Sequence, residues 1–215
     1  NPHATDDSGL EWIELYNRGP SSVDISSWVL TADDIGDYTI PASTTLASKG
    51  FIVINLRVAG TNTSSALYTG TASPFDSGEL GDADGFIALY NSSTKGSPTL
   101  IDFMQYASDG STVADSTVQG YATADGQWFA GQVVNTTALA VASSLGLAND
   151  GNDMNNVHDY VAFTTPTSGS KNDTTGPTVT EAFAGHNDEV VIRFSEPVSI
   201  YGTDDDPSTT ADNAT

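Results

Sequence analysis

The amino-acid sequence predicts an all-β protein, a β-sandwich with a short C-terminal β extension, and two observations lead there. Short apolar segments recur about every ten residues in the first part of the chain, each closed by Gly, Asp, Asn, Ser or Pro. That rhythm suits a sandwich or barrel rather than β-α-β alternation. Helix signals are poor: only Thr136–Leu147 (TTALAVASSLGL) is Ala-rich enough to compete, and its apolar positions make no helical stripe. It reads as loop or irregular strand.

In chain order, the predicted strands are Leu10–Asn17, Val23–Thr31, Tyr38–Ile40, Phe51–Leu56, Phe86–Asn91 and Leu100–Tyr106. Each is rich in β-branched or aromatic residues, which pack well on a pleated surface, and each is bounded by turn formers. Tyr160–Phe163, Val179–Phe183 and Glu189–Ser195 follow on the same grounds. In the last of these, Val190, Ile192 and Phe194 alternate with Val191, Arg193 and Ser195, as in a strand with one buried face. The polar run Asn172–Pro177 breaks the pattern and divides the chain into a sandwich over 1–172 and a partial segment over 173–215. Gly202–Thr215 is acidic and polar and reads as a mobile tail.

Charge narrows the function classes. Six Lys and Arg stand against 28 Asp and Glu in 215 residues, a formal charge of −22. A phosphate backbone or an anionic lipid surface is bound by cationic patches, so neither nucleic acid nor membrane is an expected partner. A hydrophobic share of 38% is enough for one core. No apolar run approaches the ~20 residues that span a bilayer. Without cysteine there is no disulfide framework, thiol catalysis or Cys-ligated zinc. Ser/Thr richness, acidity and the N-x-S/T sequons at Asn62, Asn91, Asn135, Asn172 and Asn213 lean toward a secreted, glycosylated protein. Asn1-Pro2 reads as a processed or cropped end.

Closely spaced Asp and Asn on Gly-bearing loops can supply the oxygen ligands that calcium takes. The richest such loop runs from Asn149 to Asn156, and Asp150, Asn152, Asp153 and Asp159 are its candidate ligands. Asp82-Ala83-Asp84-Gly85 resembles part of an EF-hand loop without the distal Glu. The same residue types also favour turns through local hydrogen bonds. No organic cofactor is indicated. Catalysis finds little support: there is no G-x-S-x-G elbow, and His3, His158 and His186 lack a recognisable partner spacing. Glu11 and Glu14, three apart on a strand, point to opposite faces and cannot form a glycosidase pair. Trp28, within an apolar run, reads as core. Trp128, among glycines, is the candidate for a carbohydrate-stacking surface.

Several segments in order carry a family resemblance. Glu11-Trp12-Ile13-Glu14-Leu15-Tyr16-Asn17 resembles the opening signature of the lamin-tail domain family. Val23-Asp24-Ile25-Ser26-Ser27-Trp28-Val29-Leu30 is similar to its "V-D-L-S-G-W-x-L" strand, and Tyr38–Pro41 with Gly50–Ile54 is similar to its "F-x-I-P … V-I" section. Asp84–Tyr90, Ile101–Tyr106, Ser144–Gly146, Asp150–Asp153 and Thr165–Asn172 are similar to the later segments. The resemblance covers about residues 1–172 and implies an immunoglobulin-like β-sandwich without implying an activity. Nuclear lamins carry the domain after a coiled-coil rod, but this chain has no sustained heptads.

Members of the family usually begin with a strand resembling "V-x-I-N-E-I". Asn1–Thr5 is similar to the loop that follows that strand, so the resemblance implies a sandwich short of one strand, with an open apolar groove. Asp173–Val179 and Val191–Val198 resemble the start of a bacterial surface-layer-type Ig-like repeat that stops early. Two incomplete sandwiches suggest complementation between copies of the chain, with Glu189–Ser195 or Val179–Phe183 inserting head to tail into a neighbour. The expected function is therefore a non-catalytic subunit of an extracellular filament or surface layer. The alternatives are an accessory module of a larger secreted hydrolase and a carbohydrate-binding module.

Overall fold

The computed structural model describes residues 11–33, 35–75, 80–140, 142–172, 178–184 and 190–194, and divides the chain into two compact units, 1–172 and 173–215. In the first unit β1 (Trp12–Tyr16) leads to the short β2 (Val23–Asp24), then β3 (Val29–Ala32) and β4 (Gly36–Thr39). The two-residue β5 (Thr45–Leu46) precedes β6 (Phe51–Asn55), β7 (Ala66–Tyr68), β8 (Asp84–Tyr90) and β9 (Leu100–Ala107). A helix, α1 (Ser116–Ala124), is followed by β10 (Val134–Asn135), β11 (Ser144–Leu147) and β12 (Tyr160–Phe163).

These strands form an immunoglobulin-like β-sandwich. One sheet has the order β1-β6-β7 and the other β10-β9-β8-β3-β4, while β11 pairs with β12 in a separate hairpin. Between the two larger sheets, Ile13, Ile52, Ile54 and Leu67 meet Leu30, Ala32 and Leu89. The central strand β8 is apolar from Phe86 to Tyr90 because both its faces are covered. Leu89 and Ile87 look into the sandwich, whereas Phe86, Ala88 and Tyr90 pack on the opposite side with Phe103, Ala122 of α1 and Trp128.

Three details depart from expectation. The helix α1 was not predicted, because STVQGYATA has a central Gly and only Gln119 and Ala122 buried. It is held from outside the pattern: the Asp115 carboxylate accepts from the Thr117 and Val118 amides at 2.7 and 3.0 Å, and Ala122 packs into the core. The predicted Val23–Thr31 strand is two strands, β2 and β3. Asp24 accepts from the Ser26 amide at 2.9 Å, and Ser27 takes a left-handed φ of 64° that turns the chain. The segment 136–147 contributes β11 at its end and is loop over its other described residues, 136–140 and 142–143.

The second unit is described over one antiparallel hairpin, β13 (Val179–Ala184) with β14 (Val190–Phe194). Arg193 of β14 pairs with Glu181 at 3.1 Å, both exposed, and the Thr180 hydroxyl donates to the Arg193 carbonyl at 3.1 Å. Val179, Ile192 and Phe194 are exposed. Glu189, Ser195 and Asn213 lie outside the described residues. No helix among the described residues is long and apolar enough to cross a membrane.

Candidate functional site: a cavity flanked by two open strand edges

The first unit holds a cavity of about 480 Å³ lined from both sheets of the sandwich. β1 borders it, β8 and β9 line it, and the β11–β12 hairpin closes another side, with Leu15, Leu89, Met104, Leu145, Leu147 and Phe163 among its apolar walls. The volume falls within the ~300–1,000 Å³ typical of ligand pockets.

Hydrogen-bond register shows what the flanking strands present to it. In the β1–β6 ladder the Leu56 amide donates to Glu11 O and the Asn17 amide to Gly50 O, so odd-numbered residues of β1 face β6. Antiparallel pairs alternate, so the N–H and C=O of Glu14 and Tyr16 point away from β6. They meet no partner among the described residues. On β11 the Ala148 amide donates to Asp159 O, which turns Leu145 and Leu147 away from β12. Leu147 O accepts from Asn172 Nδ2 at 2.9 Å, while Leu145 N–H and C=O and Leu147 N–H have no partner among the described residues. Both open edges border the same cavity. An extended segment is the ligand whose backbone could satisfy them.

Charges also converge there. Asp102 stands opposite Leu89 in the β8–β9 register and shares the inward face with Met104, where a sandwich normally places apolar residues. Among the described residues its carboxylate accepts from its own Phe103 amide alone, at 2.7 Å. Asp102 is exposed along one side, while the protein packed around its carboxyl pushes it up to about 6; Asp153 adds to the rise, and the Phe103 amide and Arg18 oppose it. Asp153 and Arg18 also line the cavity, and Arg18 Nη1 donates to the Asp153 carbonyl at 3.4 Å. Burial raises the Tyr160 hydroxyl well above its ordinary value, reinforced by Asp102, Asp153 and Asp159. Glu14 is raised by burial as well, although the Gly169 amide donates to it.

The residues singled out from sequence fall into separate places. Asp159 accepts from the Met154 and Asn156 amides at 2.8 and 3.2 Å, Asp153 from the Asn155 amide at 2.8 Å, and Asp150 from the Asn172 amide at 3.1 Å. Asp153 and Asp159 thus organise their own loop and Asp150 ties it to Asn172, with Asn152 exposed beside them. Asp82 is exposed and Asp84 opens β8. Among the described residues no group of three or more His, Cys, Asp or Glu is placed to hold a metal ion. Asn62, Asn91 and Asn135 are exposed, whereas Asn172 has its side-chain amide committed to Leu147.

Trp128 corrects the sequence reading. It is 3% exposed, donates from Nε1 to Gln132 O at 2.8 Å, and stands edge-on to Phe103 at 5.6 Å. The glycines around it shape a turn that carries the ring inward, so it offers no stacking platform. Glu11 is a buried anchor that sequence did not reveal: 1% exposed, with both carboxylate oxygens 2.9 Å from the Leu80 amide.

The family model of the lamin tail domain matches residues 1–193, most of the chain. The chain belongs to the lamin tail domain family. No curated protein matches it in sequence. The lamin tail domain is an immunoglobulin-like, generally non-catalytic fold, and this one is accordingly a β-rich module of the structural or protein-interaction kind.

Proposed function

We propose that this lamin tail domain is a structural subunit that assembles with copies of itself by β-strand complementation, in an extracellular filament or surface layer. The observation that carries the reading is the pair of open edges, Glu14–Tyr16 and Leu145–Leu147, on one cavity. An inserted strand would hydrogen-bond on both sides and bury its inward side chains on Leu15, Leu89 and Met104. The chain carries a strand of suitable length: β14 spans five residues, and Ile192 and Phe194 are exposed on it. A site that differs from its donor gives a head-to-tail contact, which propagates as an open polymer unless the rotation closes a ring.

Sedimentation velocity and electron microscopy of the full chain at near-physiological ionic strength test this. Concentration-dependent polymers are expected. Ile192→Pro, which removes a ladder N–H from β14, should leave monomers. Monomers of the unaltered chain at every concentration, or polymers that survive Ile192→Pro, would contradict the proposal.

A further inference from the structure

We infer that Asn62 and Asn91 are acceptor sites for N-linked oligosaccharide, and that the fold withholds the sequons at Asn135 and Asn172. This rests on the extracellular part of the reading above, because the donor, an oligosaccharide joined through diphosphate to a lipid, is met on the secretory route.

In the transfer the side-chain nitrogen Nδ2 loses one hydrogen and bonds C1 of the first sugar. The bond from C1 to the diphosphate oxygen breaks, and the lipid diphosphate leaves with that electron pair. Oδ1 is untouched, so any hydrogen bond it accepts survives. An acceptor asparagine in the finished fold therefore needs an Nδ2 that faces solvent and that no neighbouring backbone occupies.

Asn62 and Asn91 meet this requirement. Asn62 lies between β6 and β7, and Asn62, Thr63 and Ser64 are all exposed. Its Oδ1 accepts from the Tyr68 amide at 3.0 Å, which orients the side chain and leaves Nδ2 without a partner among the described residues. Asn91 follows β8 at the turn into β9, and both it and Ser93 are exposed. Its backbone amide donates to Thr99 O at 2.9 Å, and the Ser92 hydroxyl accepts from the Thr94 amide at 3.1 Å, so the turn forms without the Asn91 side chain.

The other two are spent on the structure. Asn135 belongs to β10; its Oδ1 accepts from the amide and the hydroxyl of Thr137, and its Nδ2 lies 2.5 Å from where a Cβ on Gly110 would stand, close against that backbone. Asn172 donates from Nδ2 to Leu147 O at 2.9 Å and accepts at Oδ1 from the Thr167 hydroxyl. Asn172 also lines the cavity, where a sugar would obstruct the β11 edge, whereas Asn62 and Asn91 stand outside the lining.

Passing the full chain, behind a secretion signal, through a eukaryotic secretory pathway tests the inference. Native protein from the medium or the lumen is treated with peptide N-glycosidase in heavy-oxygen water, which turns each glycan-bearing Asn into labelled Asp, and the four peptides are weighed. Label at Asn62 and Asn91 and none at Asn135 and Asn172 is expected, and Asn62→Gln and Asn91→Gln should each remove one step of the gel-mobility ladder. An unlabelled Asn62 or Asn91, or label at Asn135 or Asn172, overturns the inference. Sedimentation of the same protein scores assembly separately. Monomers carrying label at the two expected sites would sink strand complementation and leave the glycan assignment standing; polymers with Asn62 and Asn91 bare would do the reverse.

Discussion

Replacing Trp128 by Ala removes a ring that is 3% exposed and sits between Phe103, 5.6 Å away, and Tyr160, 6.0 Å away. Deleting a buried Trp costs about 3–5 kcal/mol, from lost apolar burial and from the cavity left behind. The lost hydrogen bond adds little, because Gln132 O keeps the bond from Gln105 Nε2 at 2.7 Å. For a chain of this size about 4 kcal/mol corresponds to a fall of roughly 8–16 °C in Tm. Urea unfolding followed by circular dichroism, run below the concentration of any assembly, should show that loss with an unchanged slope. Trp128→Phe, which keeps a ring against Phe103, should cost clearly less. A loss below about 1 kcal/mol for Trp128→Ala would refute the burial and return the residue to the surface role its sequence context suggested.

Asp115→Ala should destabilise the first unit by about 1 kcal/mol in the same urea assay, since the carboxylate caps two amides of α1. Gly85→Ala should cost more than a surface substitution, because a Cβ there would lie 2.5 Å from the buried Tyr106 hydroxyl; a neutral result in thermal unfolding would contradict the packing. Asp102 has a folded pKa of about 6 against 3.8, so between those values the native state holds a proton that the unfolded chain releases. Its contribution therefore favours the fold below about pH 4 and is lost as pH rises through 6. Asp102→Asn should raise the Tm of the monomer at pH 8 and leave it nearly unchanged at pH 4; the reverse order would overturn that assignment. EDTA should leave the unfolding midpoint unmoved, because Asp153 and Asp159 already accept amides of their own loop and Asp150 accepts the Asn172 amide. A fall of several degrees would restore calcium to the 149–159 loop.

The sandwich was legible because its long strands announce themselves chemically. WIELY, FIVIN, DGFIALY and LIDFMQYA carry β-branched and aromatic residues in continuous or alternating order, and turn formers bracket them. Strands of two or three residues, such as β5, β7 and β10, have no such signal; their pairing is set by neighbours already in place. Helix α1 was hidden for a related reason, since its cap and one buried Ala hold it rather than an amphipathic stripe. At the site, sequence could draw attention to Asp-rich loops but not distinguish a carboxylate that coordinates from one that accepts amides. The inward placement of Asp102 was legible only through strand register: in I-D-F-M-Q-Y both alternating sets contain a polar residue, so periodicity alone does not say which faces the cavity.

Residue-resolved amide hydrogen exchange at Glu14, Tyr16 and Leu145 tests strand addition most directly, because each of these N–H groups lacks a partner within the described chain. The account predicts rapid exchange in dilute protein and in Ile192→Pro at any concentration, and marked protection once the unaltered chain has assembled. Assembled protein whose three amides still exchange as fast as in the monomer would contradict it.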